Sequence, residues 1–279
     1  MRTHTPGSSG TETTRWLRRP GGRIAYEVTG SGPLVVLAPG MGDVRTVYRF
    51  LAPALVTAGY RVATLDLRGH GESDTTFEAY DDVATGGDLL ALTRHLGGPA
   101  VLVGNSMSAG SAAWAAAEEP GSVAGLVLIG PFVRDLPMGP LARLALRLLL
   151  RRPWGPAAWV RYYASLYPGT PPADLPMHRA AIRESLARPG AWDAFEATTR
   201  TSHAPVEARL HEIDAPTLVV MGAQDPDFPD PGAEARTVAD LLDGQAVLVE
   251  GAGHYPQAQR PEVVTPAVLD FLAEALPRA

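Results

Sequence analysis

The chain has 279 residues, 46% hydrophobic and 19% charged, which suits one large α/β domain or a core domain carrying an insertion. Its formal net charge of −6 argues against nucleic acid as a partner, since that needs a basic surface. With no cysteine and no lysine in the sequence, disulfides, thiolate chemistry, Cys-ligated metals and lysine Schiff bases are excluded.

Taken in chain order, Met1 to Arg15 is polar and lacks the apolar segment of a secretory signal, so a flexible tail is expected over 1–14 and a cytoplasmic location overall. Thr14 to Arg19 and Arg23 to Thr29 flank Pro20-Gly21-Gly22 and read as an antiparallel hairpin at a sheet edge. Leu34 to Ala38 is a continuous apolar run, the pattern of a strand buried on both faces, and it ends in Pro39-Gly40-Met41-Gly42-Asp43. A helix is expected from Val47 to Ala58. The strand Arg61 to Leu65 then runs into the glycine-punctuated loop Asp66 to Asp74. A helix over Asp81 to Leu96 carries leucines at helical spacing. Next come the apolar run from Val101 to Val103, a helix over Met107 to Glu119 and a buried strand over Val123 to Ile129.

From 132 to 210 the alternation stops. Leucine-rich helical stretches and proline breaks occur there, but no convincing strand. The longest apolar run, Leu141 to Leu150, is interrupted by Arg143 and Arg147, so neither a membrane span nor stable membrane association is expected. Alternation resumes with a strand over Pro216 to Met221, a helix around Ala233 to Leu242, a strand over Ala246 to Glu250 and a helix over Val263 to Leu276. Strand–helix alternation on both sides of a helical block predicts a mostly parallel sheet with helices on both faces and an inserted helical lid. The expected division is a core of 15–131 and 211–279 with a lid of 132–210.

Three pieces of chemistry fall at predicted strand ends, where open α/β sheets build their sites. Gly104-Asn105-Ser106-Met107-Ser108 joins strand to helix with a serine at the apex, the pattern of a nucleophile elbow. Ser108 offers a rival register, but it lies one turn into the helix. Asp225 follows the Pro216 to Met221 strand and could orient a histidine, with Asp227 and Asp230 as competing acids. His254 follows the Ala246 to Glu250 strand in a glycine-rich loop; among seven histidines, only it and His70 sit in such a position. The order Ser106, Asp225, His254 matches the chain order of α/β hydrolases. The backbone N–H groups of Met41 and Met107 are the expected oxyanion donors. The loop from Asp66 to Asp74 is read as structural, since its alternation fits no metal-ligand spacing, and no Gly-rich phosphate cradle is present. No metal and no cofactor are therefore expected.

From about Trp16 to the C-terminus the chain resembles the lid-bearing α/β-hydrolase superfamily. The likeness rests on Pro39-Gly40-Met41-Gly42, Asp66-Leu67-Arg68-Gly69-His70-Gly71-Glu72-Ser73, Gly104-Asn105-Ser106-Met107-Ser108, Gly222-Ala223-Gln224-Asp225 and Gly253-His254. The resemblance implies eight strands, a Ser-Asp-His triad and a helical lid after the sixth strand. Two positions depart from the pattern: Pro39 stands where a histidine is common, and Ser108 stands for the second elbow glycine. The Gly-Asn-Ser-Met core also looks like that of carbon–carbon bond hydrolases.

The expected function is a cofactor-free serine hydrolase of a small or medium ester, thioester or lactone. The alternatives are carbon–carbon cleavage, acyl transfer or perhydrolysis on the same residues, or small-molecule binding without catalysis. Leu141, Leu144, Leu146, Leu148 to Leu150, Trp154, Trp159, Tyr162 and Tyr163 in the lid are expected to supply an apolar acyl or alcohol pocket or, for most of them, only to pack the lid to the core. A small molecule is the expected partner, and the sequence fixes no oligomeric state.

Overall fold

The computed structural model describes residues 13–136 and 139–276. Most of the tail expected over 1–14 lies outside the described residues. Thr14 is within them and is tied down, accepting from Arg45 Nη2 at 2.9 Å and donating to Glu72 at 2.9 Å.

The first half of the chain forms β1 (Arg15–Arg19), β2 (Gly22–Thr29), β3 (Leu34–Ala38), α1 (Leu51–Thr57), β4 (Arg61–Leu65), α2 (Asp82–His95), β5 (Ala100–Asn105), α3 (Met107–Glu118) and β6 (Val123–Ile129). Among the described residues five α-helices follow with no strand between them: α4 (Pro140–Leu149), α5 (Gly155–Ser165), α6 (Leu175–Ala187), α7 (Ala191–Thr198) and α8 (Ala204–Glu207). Then come β7 (Thr217–Gly222), α9 (Pro231–Leu241), β8 (Gln245–Val249), α10 (Pro256–Gln259) and α11 (Pro261–Ala275). Helix was expected continuously from Val47 to Ala58. The chain instead makes a 3-10 turn over Arg45–Tyr48 and starts α1 at Leu51. Pro53 explains the break. It has no N–H to donate to residue 49, so it fits the first turn of a helix and not the interior of a longer one.

The eight strands form one sheet in the order β1-β2-β4-β3-β5-β6-β7-β8. β1 and β2 pair antiparallel with their neighbours; the other pairings are parallel. The apolar runs are continuous because alternate side chains enter two different cores. Val36, Ala38 and Leu102 pack with Leu89 of α2, Ala112 of α3 and Val238 of α9 on one face. Val35, Leu37, Val101 and Val103 pack with Leu55 of α1, Val268 of α11 and Trp192 of α7 on the other. The parallel strands β3, β4, β5, β6, β7 and β8 end on one side of the sheet. The segments that hold Met41, Ser106, Asp225 and His254 all leave from those ends. Among the described residues no helix is long and apolar enough to cross a membrane.

Candidate active site

Ser106 occupies the turn between β5 and α3 with φ 59° and ψ −126°, a backbone conformation costly for a side-chain-bearing residue. The turn is held by the Ser106 N–H, which donates to the Ile129 carbonyl at 2.8 Å. Gly104 makes it possible, since a Cβ there would collide with the Ser108 carbonyl one turn into α3. Ser108 is fully buried, and its hydroxyl donates to the Pro39 carbonyl at 2.5 Å. The two departures from the family pattern thus contact each other, and the serine fastens the elbow to the loop after β3.

His254 lies between β8 and α10. Its N–H donates to the Leu166 carbonyl of the helical block at 3.0 Å. Its Nδ1 lies 2.7 Å from Asp225 Oδ2, with both side chains almost fully buried. Asp225 is oriented in turn, since its Oδ1 accepts the Asp227 N–H at 3.0 Å. Of the competing acids, Asp227 stands 3.7 Å from the same Nδ1 and accepts from the Tyr162 hydroxyl. Asp230 instead caps α9 by accepting from the Ala233 N–H at 2.9 Å. Burial pushes the His254 pKa down, but the negative charges of Asp225 and Asp227 outweigh it and hold the pKa at about 9. The other ring nitrogen, Nε2, is buried and has no hydrogen-bond partner among the described residues.

The loop after β3 lies against the serine: a Cβ on Gly40 would stand 3.0 Å from Ser106 Cβ. Neither the Met41 nor the Met107 N–H donates to a protein acceptor among the described residues. His70 fixes the loop by accepting the Gly42 N–H on Nε2 at 2.9 Å. Its Nδ1 lies 2.7 Å from the Arg68 carbonyl, which can only accept, so the proton sits on Nδ1. Burial lowers the His70 pKa and keeps the ring neutral, as that bond requires.

The helical block grips the loop from the other side. Trp159 Nε1 donates to the Gly42 carbonyl at 3.0 Å. The fully buried Asp43 carboxylate accepts from the Tyr163 hydroxyl at 2.9 Å and lies 2.7 Å from His178 Nε2. Sequence reasoning noticed His70 as a histidine in a post-strand glycine loop but gave it no partner. It missed Asp43, Trp159 as a loop contact, and His178 altogether.

Ser106, His254, Met41 and Met107 line one cavity of about 520 Å³. Its walls are largely apolar, with Phe132, Leu136, Trp159 and Leu166 among them. The expected pocket set divides: Leu146, Leu149, Leu150, Trp159 and Tyr162 line the cavity. Leu141, Leu144, Leu148 and Trp154 are exposed outside it, and Tyr163 is committed to Asp43. The difference follows from α4, whose leucines at 141, 144 and 148 share a face turned to solvent.

Asp225, Asp227 and His254 also bring three ligand-type atoms within 4.8 Å of one another, a grouping with the composition of a metal site. The 2.7 Å contact between Nδ1 and Asp225 is a hydrogen bond, whereas ligands sharing an ion would each stand about 2 Å from it. The residues therefore fit a hydrogen-bonded pair better than a metal.

Comparison with known proteins agrees with the architecture. The chain is 33% identical over 276 residues to the polyketide synthase ThaQ of Burkholderia thailandensis. That match covers 96% of this chain but only 13% of the much longer synthase. It is 30% identical over 264 residues to 2-(acetamidomethylene)succinate hydrolase of Mesorhizobium japonicum, covering 90% of this chain and 92% of that one. The solved structure of a thermophilic esterase from Thermogutta terrifontis aligns with a TM-score of 0.75 at 27% identity, covering 95% and 99% of the two chains. The model of the alpha/beta hydrolase family matches residues 35–267, and the chain belongs to that family.

Proposed function

We propose that the protein is a serine hydrolase that cleaves a small to medium carboxylic ester, thioester or lactone. The observation that carries this reading is the meeting, in one largely apolar cavity, of a serine on a strained turn and a histidine already paired with a buried carboxylate. Ser106 Oγ attacks the substrate carbonyl while His254 Nε2 takes its proton; Asp225 holds the Nδ1–H and stabilises the imidazolium that forms. The unpartnered Nε2 supports this role, since it has no competing protein donor to displace. The serine hydroxyl turns onto it in the substrate complex, where such bonds commonly tighten.

The developing oxyanion is received by the Met41 and Met107 N–H groups, the second at the N-terminus of α3 where the helix dipole favours negative charge. The acyl group passes to Ser106 as the alcohol or thiol leaves with the proton from His254. Water, deprotonated by His254, then releases the acid and restores the serine.

In this reading 132–210 is a lid over a core of 15–131 and 211–279, and it supplies the wall that sorts substrates. A cavity of about 520 Å³ is in the range of small-molecule sites. The relatives named above include an esterase and a hydrolase of an acyclic amide-bearing acid, which agrees with hydrolysis at a carbonyl. The test is turnover of p-nitrophenyl esters of increasing acyl length. Ser106→Ala is expected to lower kcat/KM by roughly 10³-fold or more. Undiminished turnover in that variant would remove Ser106 from the mechanism.

A further inference from the structure

A second histidine–carboxylate pair opens on the same cavity. His203 Nδ1 lies 2.6 Å from Asp82 Oδ2, and the other oxygen of Asp82 accepts from Ser111 Oγ at 3.0 Å. Asp82 is 1% exposed, so its charge depends on these two donors. Its position at the start of α2 and that of Ser111 in α3 are fixed by packed helices, which makes the pair rigid.

The histidine is fixed along its backbone as well, its N–H donating to Asp135 Oδ1 at 2.8 Å. Its ring packs on Phe132 at 5.9 Å, and His254 meets the same phenyl ring at 6.0 Å. The two imidazoles thus share one phenyl ring, and both line the cavity that holds Ser106.

No described residue bonds His203 Nε2, while Nδ1 is committed to Asp82. Beside it Thr201 Oγ1 is buried with no partner among the described residues, although Thr201 lines the same cavity. Two polar side chains thus face a cavity whose walls are otherwise mostly apolar. Leaving the buried Thr201 hydroxyl unpaired costs free energy, which a ligand oxygen recovers. A ring held between Asp82 and a second carboxylate donates from both nitrogens, Nδ1–H to Asp82 and Nε2–H to the other anion.

We propose that His203 and Thr201 form a carboxylate subsite. The substrate is an ester, thioester or lactone that carries a free carboxylate remote from its scissile carbonyl. His203 Nε2–H and Thr201 Oγ1–H donate to that carboxylate while the carbonyl faces Ser106. Asp82 and Ser111 act through His203, as positioning residues. The assignment rests on Ser106 as nucleophile for the placement of the reacting carbonyl.

The experiment compares mono-p-nitrophenyl glutarate with its neutral methyl ester. In the wild-type protein the carboxylate ester is the better substrate through a lower KM. Thr201→Val, which leaves Asp82 paired, and His203→Gln, which keeps a donor in place of the ring, each reduce that preference. His203→Phe abolishes it, a loss of at least about tenfold in the ratio of kcat/KM values. In Thr201→Val the neutral ester loses less kcat/KM than the carboxylate ester does. Equal effects on the two esters would overturn the proposal.

Binding is read separately in Ser106→Ala, where monomethyl glutarate shifts the ring-nitrogen NMR signals of His203 and Thr201→Val weakens that binding. Absence of any shift at His203 counts against the subsite. Carboxylate binding in a wild-type protein that turns over neither ester would overturn the nucleophile assignment and leave the subsite standing.

Discussion

His254 carries two carboxylates on one side of its ring, Asp225 at 2.7 Å and Asp227 at 3.7 Å. Together they hold its pKa at about 9 against the opposing pull of burial. A general base must be neutral to accept a proton, so kcat/KM of the free enzyme is expected to rise with pH and reach half its limit near 9. Asp227→Asn removes one of the two charges. It is expected to move that midpoint toward neutrality and to raise activity at pH 7; an unmoved midpoint would mean Asp227 does not act on His254. The same shift has a stability consequence of opposite sense. Because the folded pKa exceeds the unfolded value near 6.5, the stabilisation from this pair is complete below that value and is lost as pH rises through about 9. Gly104 is the other residue on which the site depends. Gly104→Ala places a methyl group against the Ser108 carbonyl and should destabilise the fold by about 1–3 kcal/mol or more, measured by denaturant unfolding.

Among the elements, the loop after β3 is the one most heavily braced. His70 holds its Gly42 N–H, Trp159 its Gly42 carbonyl, Ser108 its Pro39 carbonyl, and Tyr163 with His178 its Asp43 carboxylate. His70→Leu leaves the Gly42 N–H unpaired in a buried setting, at a cost of about 1–3 kcal/mol. If that loop presents the oxyanion donor, kcat falls in this variant while KM changes little; a variant that melts earlier with kcat intact would make the brace purely structural. His178→Ala strips a partner from the fully buried Asp43 and should cost about 3–5 kcal/mol of stability, read by thermal melting. Little of this bracing was legible in the sequence. The buried strands announced themselves as unbroken apolar runs, and Ser106, Asp225 and His254 stood out by chain order at strand ends. His70 attracted notice for its loop, yet its partner Gly42 is 28 residues away. Gly42 and Trp159 are 117 residues apart, Asp82 and His203 121, and Asp43 and His178 135. Such pairs obey no local period, so only the folded chain reveals them. α4 misled for a related reason: its leucines have the spacing of a packed face, but the face is turned to solvent.

At the scale of the whole molecule, one topological fact arranges everything else. Six parallel strands deliver their carboxyl ends to the same side of the sheet, and residues far apart in sequence converge there. The helical block between β6 and β7 closes over that edge and contributes Leu146, Trp159, Tyr162 and Leu166 to the cavity wall. Its contacts with the loop after β3 join loop and cavity wall in one packed unit, so in the proposed hydrolase the chemistry and the choice of substrate are coupled through the same helices. The central claim is that Ser106 is a nucleophile activated by this assembly. It is tested most directly by treating the folded protein with a fluorophosphonate and locating the adduct by mass spectrometry. The account predicts a single adduct per chain on Ser106, lost in Ser106→Ala and strongly slowed in His254→Ala. A folded wild-type protein that takes up no label, or label that persists in Ser106→Ala, would contradict it.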